Sequence, residues 1–413
     1  MTQNEKIFST YQKFVIAVLA IIQFTIILDF MVISPLGAIL MDKLSITPSK
    51  FGVVVSVYAF SAGISGLFAA GFADKYDRKK LLLFFYSGFT LGTFLCGIAP
   101  DYNSLLVGRI VTGLFGGVLS SISFAIVTDL FKMHVRGRVM GFIQMAFAVS
   151  QVAGIPVGIY LANDFGWHSP FIMIVVLCLL TAFVIFKWMK PVNEHLQIKN
   201  ETHPFRHLKN TLSNPQYVKA FFATALLAIG GFMLMPFSST FLVNNINISL
   251  DHLPIIFALV GISSLIFMPI IGKVADKIGK YKVFTIGSLL SIAMVIVYTN
   301  LYHVPLWIVI AVNIVLFTGI MSRMIPLMAL MTAIPEMKDR GAFMGINSSI
   351  QQISGGIASV LAGMIVFQET PTSPLHNFDL LGYITSILMI VTLVQMYFIN
   401  KTVERKTAET AAV

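Results

Sequence analysis

Charge is scarce in this chain. Lys, Arg, Asp and Glu together make up 11% of its 413 residues, against about a quarter in ordinary soluble domains. So small a stock cannot cover a surface that faces water on every side. Acidic residues are scarcer than basic ones, 18 against 28, and only Asp29 falls in the middle of a long apolar run. Cysteine is nearly absent. Cys96 and Cys178 both lie inside apolar runs, which reads as small buried side chains rather than a disulfide or metal pair. His195, His203 and His207 share one polar stretch at spacings that match no zinc site. No HExxH, GxSxG or phosphate-loop pattern occurs, and no pair of intramembrane acids, so an intramembrane enzyme is not indicated.

Apolar sequence is what the chain has in abundance, at 57%. Twelve stretches are each long enough for a membrane helix of ~17–25 residues: 14–40, 51–72, 81–100, 104–131, 139–162, 169–187, 218–243, 253–274, 283–302, 306–333, 342–367 and 379–399. Lys6 and Lys13 precede an apolar run longer than a signal-peptide core, without a small-residue cleavage pattern, so no removable leader is expected. With the N-terminus inside, 24 of the 28 Lys and Arg residues fall on the inner side. Lys43 and Lys50 lie outside, and Arg109 and Arg323 lie within spans. This distribution places both termini in the cytoplasm. It also accounts for the net charge of +10 as topology, which argues against a nucleic-acid partner.

The chain repeats itself. AGFADKYDRKK at 70–80 returns as GKVADKIGKYK at 272–282, with Asp74 and Asp276 lying 202 residues apart. Arg136-Gly137-x-x-Met140-Gly141 returns as Arg340-Gly341-x-x-Met344-Gly345 at an offset of 204. Pro35 in the first span corresponds to Pro236 in the seventh. The expected fold is therefore all-α and polytopic, with twelve transmembrane helices in two pseudo-symmetric six-helix bundles. Residues 1–187 form the first bundle, 188–217 a polar cytoplasmic linker, and 218–413 the second bundle with a short tail. Two membrane halves around a midplane site are a common plan of secondary transporters.

A charge at the bilayer centre costs at least ~2.5–3.5 kcal/mol, so it needs a partner, a cavity or a function. Asp29 lies about fifteen residues into its span, ~22 Å along a helix. Burial disfavours an ionised carboxyl and a nearby cation favours it, so a group under both influences can load and unload a proton. Arg109, ~7.5 Å below the outer end of the fourth span, is the natural partner. It heads a face of Thr112, Gly113, Gly116, Gly117 and Ser120, part of which reads as close helix packing. Arg323, ~15 Å deep in the tenth span, either snorkels to the interface or lines a cavity and forks onto a carboxylate or phosphate. At an offset of 204, Asn313 occupies the position of Arg109 in the second half. Gln144 and Gln151 in the fifth span, and Asn347 and Gln351 beside Ser354 and Gly355 in the eleventh, are candidates either to orient a polar substrate or to bond helix to helix. Asp129 near the inner end of the fourth span is a capping or gating candidate. In the repeated loop, Asp74 with Arg78 and Lys79, and Asp276 with Lys280, are candidates for a latch between helix ends, because Asp contributes little to topology.

These residues resemble the major facilitator superfamily over essentially the whole chain. The loop 70–80 resembles its motif A, with Ala70 and Asp77 standing where the pattern has glycine. The second copy keeps both glycines but has Lys280 for the usual arginine. Leu106-Val107-Gly108-Arg109-Ile110-Val111-Thr112-Gly113 resembles motif B, whose arginine the family links to proton coupling. Gly154-Ile155-Pro156-Val157-Gly158 resembles motif C of the exporters, with Ile155 replacing a glycine. Leu28 to Pro35 resembles motif D. The resemblance points to the twelve-helix drug:proton antiporters. It implies rocker-switch alternating access around a cavity lined by spans 1, 4, 5, 7, 10 and 11, in the cytoplasmic membrane. Asp29 would carry the proton and Arg109 tune it, while Arg323 and the glutamines contact a small-molecule substrate. Counting Asp29, Arg109 and Arg323 as cavity charges gives about +1, which favours neutral or anionic amphiphiles over cations. No metal or organic cofactor is implied, the proton being the coupling ion, and a monomer in the bilayer is expected. The rival readings are an uptake symporter or facilitator on the same fold and a non-transporting sensor.

Overall fold

A computed structural model of the chain describes residues 8–69, 76–193, 196, 204–336 and 339–411. The first half runs through α1 (Thr10–Val32), α2 (Gly37–Lys43), α3 (Pro48–Ala69), α4 (Arg78–Gly97), α5 (Tyr102–Leu130), α6 (Met133–Val149), a π turn (Ser150–Gly154), α7 (Ile155–Phe165) and α8 (Ser169–Trp188). A short α9 (Pro204–Leu212) leads to the second half. There follow α10 (Pro215–Phe232), a 3₁₀ turn (Met235–Phe237), α11 (Ser238–Asn244), α12 (Leu253–Ile278), α13 (Lys280–Thr299), α14 (Leu306–Ala333), α15 (Arg340–Ile365) and α16 (Phe378–Ala411). Among the described residues the only β pairing is one isolated bridge, Phe367 to His376.

Among the described residues, eleven helical segments are long and apolar enough to cross a membrane. The span expected at 342–367 is the 26-residue α15, diluted in apolarity by Asn347, Ser348, Ser349, Gln351, Gln352 and Ser354. Large apolar side chains such as Phe84, Leu180, Phe186 and Ile387 are exposed on the outside of the bundle. Such a surface suits lipid, where helices satisfy their own backbone groups.

Three expected spans are not continuous helices. The first, 14–40, breaks over 33–36, because Pro35 has no N–H to donate and its ring crowds the preceding turn. Pro236 does the same to 218–243. In 139–162 the chain widens into the π turn just before Pro156. The ends are set by local chemistry: Ser9 and Asp101 each form a capping box, with Gln12 and Ser104, satisfying N–H groups that a helix start leaves unpaired.

The two proline breaks meet. Ser239 Oγ donates to the Ser34 carbonyl at 3.0 Å, and Phe51 packs edge-on against Phe237 at 6.0 Å between ring centroids. A methyl added at Gly37 would lie 3.0 Å from the Pro236 carbonyl oxygen. Asn163 also donates across the halves to the Leu250 carbonyl at 3.1 Å. All these contacts lie at the end opposite the chain termini. From that end downward, α3 and α15 approach through small residues: a Cβ at Gly363 would lie 2.9 Å from the Pro48 carbonyl oxygen, at Gly356 3.2 Å from that of Ser56 and at Gly63 2.9 Å from that of Ser349. Between apolar helices in lipid, association rests on such close packing rather than on burial from water. At the terminal end, a Cβ at Gly137, Gly141, Gly341 or Gly345 would meet nothing within 4 Å. The two halves are thus tied at the end opposite the termini, while these four glycines leave open space beside them.

Candidate functional site

Between the halves lies a cavity of about 410 Å³, within the ~300–1,000 Å³ usual for small-molecule sites. Its floor at the sealed end is Ser34, Pro35, Ser238 and Leu242, so its way out leads toward the terminal end. The wall is mostly apolar, with Phe30, Phe147, Phe232, Phe257 and Phe317 among its side chains. Polar groups come from both halves: Gln23, Ser120, Gln144 and Gln151 from the first, Asn313, Arg323, Ser348, Gln351 and Gln352 from the second. Gln151 sits on the π turn, where Gly261 of α12 packs against its backbone at 2.9 Å, and its Oε1 is buried without a partner. A π turn re-aims side chains within a helix and recurs at functional sites.

Asp29 and Arg109 do pair, but behind the cavity wall. Arg109 Nη1 donates to Asp29 Oδ2 at 2.8 Å and to the Asp29 carbonyl at 3.3 Å. Thr93 Oγ1 donates to Asp29 Oδ1 at 3.2 Å. Neither charged side chain has any exposed surface, and neither lines the cavity. Tyr58 of α3 stands between, lining the cavity while its ring lies 4.4 Å from the guanidinium carbon. Arg109 Nε and Nη2 have no hydrogen-bond partner. The guanidinium is thus held by the carboxylate and carbonyl of Asp29 and by one aromatic face, a combination of charge-assisted and cation–π contact. The face of α5 below Arg109 is packing: Gly113 and Gly117 lie against the backbone of α3 at Tyr58 and Ala62.

A sequence profile of the Major Facilitator Superfamily matches the chain twice, over residues 19–222 and 220–412. The chain belongs to this superfamily of membrane transporters. An uncharacterized MFS-type transporter, YceJ of Bacillus subtilis, is 24% identical over 94% of this chain and 97% of its own length. The multidrug resistance protein MdtG of Klebsiella pneumoniae is 25% identical over 65% of this chain and 66% of its own. Among solved structures, the nucleoside transporter NupG superposes with a TM-score of 0.76 at 14% identity, covering 94% of this chain and 99% of the other. A bacterial homologue of the human lysosomal transporter Spinster gives 0.72 at 16% identity, covering 96% and 97%. These likenesses establish the superfamily fold.

The segments that resemble superfamily motifs lie in two places, motif C against α1 and motif A among the ends of α4, α5 and α8. Gly154 and Gly158 of motif C bring the π turn and α7 onto α1 either side of Asp29: a Cβ there would lie 2.7 Å from Leu28 and 2.9 Å from Val32. Pro156 opens α7 just beyond the π turn. In motif A, Arg78 Nε bonds Asp129 Oδ2 at 3.1 Å, its backbone N–H donates to the Val192 carbonyl at 2.9 Å, and Lys79 Nζ donates to the Phe186 carbonyl at 3.0 Å. Asp74 lies outside the described residues. In the second copy Asp276 is exposed in the last turn of α12 and Lys280 opens α13. The two loops differ where their sequences differ. Gly279 has φ +105°, a conformation that favours glycine. Asp77 has φ −56° and needs no glycine, and its carboxylate caps α4 at the Lys80 N–H.

Arg323 lines the cavity with 3% of its surface exposed, which excludes snorkelling. Asn313, Gln144, Gln151 and Gln351 line it as well. Asn347 does not: its Oδ1 accepts from Thr224 Oγ1 at 2.6 Å, bonding α15 to α10. Tyr58, Thr93 and Gln23 had no sequence signal. Gln23 lies six residues before Asp29 in the first span, and only its bond from Ser120 at 3.2 Å reveals the face it shares. The lining also draws on α3, α12, α13 and α16, beyond the six spans expected.

Proposed function

We propose that this chain is a proton-coupled exporter of small amphiphilic molecules, working by alternating access in the cytoplasmic membrane with both termini inside. The cavity then faces the cytoplasm. The observation that carries this reading is the Asp29–Arg109 pair, fully buried one aromatic layer behind the cavity. Neutralising one member of such a pair leaves the other charge uncompensated, at about 3–5 kcal/mol. That is enough to reverse a two-state equilibrium by a hundredfold or more. Asp29 lies one turn before the break over 33–36 that seals the far end. Protonation of Asp29 therefore strains the same helix whose broken tip holds the gate. Arg78 with Asp129, and Lys79, hold helix ends at the cytoplasmic side. The names of relatives such as MdtG support export of drug-like compounds. No catalysis is proposed.

The opposite direction is favoured by Ile155, where the exporter motif has glycine. Proteoliposomes with an acidic lumen separate the two. With cationic, neutral and anionic compounds outside, an antiporter concentrates its substrate in the lumen as protons leave. A symporter holds the lumenal concentration below that outside, and movement of no compound in response to the pH gradient contradicts proton coupling.

A further inference from the structure

We infer that Arg323 is the anchor for an anionic group, and that the cargo is an amphiphilic organic anion bearing a carboxylate, sulfonate or phosphate head. This rests on the reading of the central cavity as the transport site. Three charges were expected to set the character of the cavity. The structure withdraws two of them, because Asp29 and Arg109 neutralise each other behind Tyr58. Arg323 is the one charged side chain on the cavity wall among the described residues.

Its environment leaves it unbalanced. Arg323 forms no ion pair with any described residue, and its Nε and Nη2 are buried without hydrogen-bond partners. The guanidinium carbon lies 5.7 Å from the ring centroid of Phe284, an aromatic face that holds the cation and supplies no counter-charge. A buried, unpaired guanidinium is costly unless a partner arrives. The planar fork of donors matches the paired oxygens of a carboxylate or phosphate. The rest of the wall suits the other end of such a molecule: Phe30, Phe147, Phe232, Phe257 and Phe317 offer faces for an aromatic or aliphatic body. The anion site lies on the second half and the proton site on the first, so cargo and proton do not compete for one carboxylate. Exchange of one monoanion outward for one proton inward moves two charges in the same sense, so export would be electrogenic.

The test is equilibrium dialysis of the purified full chain in lipid nanodiscs against 2-naphthoate, 2-naphthamide and 2-naphthylmethylammonium, which share one apolar body. The wild type binds naphthoate about tenfold or more tighter than naphthamide, and the ammonium most weakly. Arg323→Gln abolishes the preference for naphthoate over the amide. Arg323→Lys falls between. Gln351→Glu, which adds a counter-charge to the same cavity without altering Arg323, weakens naphthoate and strengthens the ammonium, and so serves if Arg323→Gln does not fold. Absence of naphthoate binding, equal binding of acid and amide, or a preference that survives Arg323→Gln overturns the proposal. The assay uses no gradient, so a chain that binds naphthoate but pumps nothing contradicts the exporter reading alone.

Discussion

Ser239 donates its hydroxyl to the backbone carbonyl of Ser34 at 3.0 Å, tying the proline break of the second half to that of the first. The two breaks are repeat-related, so the duplicated unit supplies both sides of its own gate. The Ser34 carbonyl, which also accepts from the Gly37 N–H at 3.0 Å inside the break, is the acceptor that ties the far end.

That seal predicts the effect of crowding it. Gly37→Val places side-chain atoms against the Pro236 carbonyl and the Phe51 ring, where a Cβ alone already lies 3.0 and 3.1 Å away. The far end should open more often. With Ser238→Cys as reporter, labelling by an impermeant maleimide from outside should rise several-fold over the same cysteine in an otherwise native chain. Cys96 and Cys178 are buried and give little background. Unchanged labelling would mean that these contacts do not hold the gate.

Removing one partner of the buried pair should cost more than removing both. Asp29→Ala alone leaves Arg109 charged and uncompensated, a loss of about 3–5 kcal/mol, whereas replacing both with apolar residues is often near neutral. Denaturant unfolding in detergent of Asp29→Ala, Arg109→Met and the double variant carrying both should show a large coupling energy. Additive losses would contradict a direct pair.

Tyr58 is predicted to insulate the pair from the cavity. Tyr58→Phe keeps the ring over Arg109 and should retain coupled transport. Tyr58→Ala opens a path from cavity water to Asp29 and should let protons leak without substrate. A pH-sensitive dye trapped in liposomes reads the leak directly, and an equally tight Tyr58→Ala variant would remove Tyr58 from this role.

Gly117 faces the α3 backbone at Ala62 with no space for a side chain. Gly117→Val should force α5 off α3, with a loss of about 1–3 kcal/mol as for other overpacked cores, read as a lower unfolding temperature. Gly137→Val, where nothing lies within 4 Å, is the control and should be near neutral.

Much of this arrangement could be read before any coordinates. Asp29 and Arg109 stand out because charges in apolar spans are expensive, and helix rise put them at compatible depths. Tyr58, between the pair and the cavity, did not, since a tyrosine in a span advertises nothing about which charge its ring covers. Asn347 shows the opposite failure: its helix face was right, but an amide bonding Thr224 and an amide facing substrate look alike in sequence. Pro35 and Pro236 were legible as a repeat but not as breaks, because proline within α12 and α14 leaves those helices continuous and only tertiary contacts decide. The cavity charge was miscounted for a related reason: depth along a helix says nothing about which side of a wall a side chain occupies.

The central claim is that Asp29 carries the coupling proton. Its most direct test compares two modes of transport in proteoliposomes containing wild-type or Asp29→Asn protein. Exchange of labelled for unlabelled substrate across the membrane needs the cavity to alternate but needs no net proton movement. Accumulation driven by a pH gradient needs both. The account predicts that Asp29→Asn keeps exchange near the wild-type rate and loses gradient-driven accumulation. A variant that still concentrates substrate as the wild type does would place the proton site elsewhere and contradict the account.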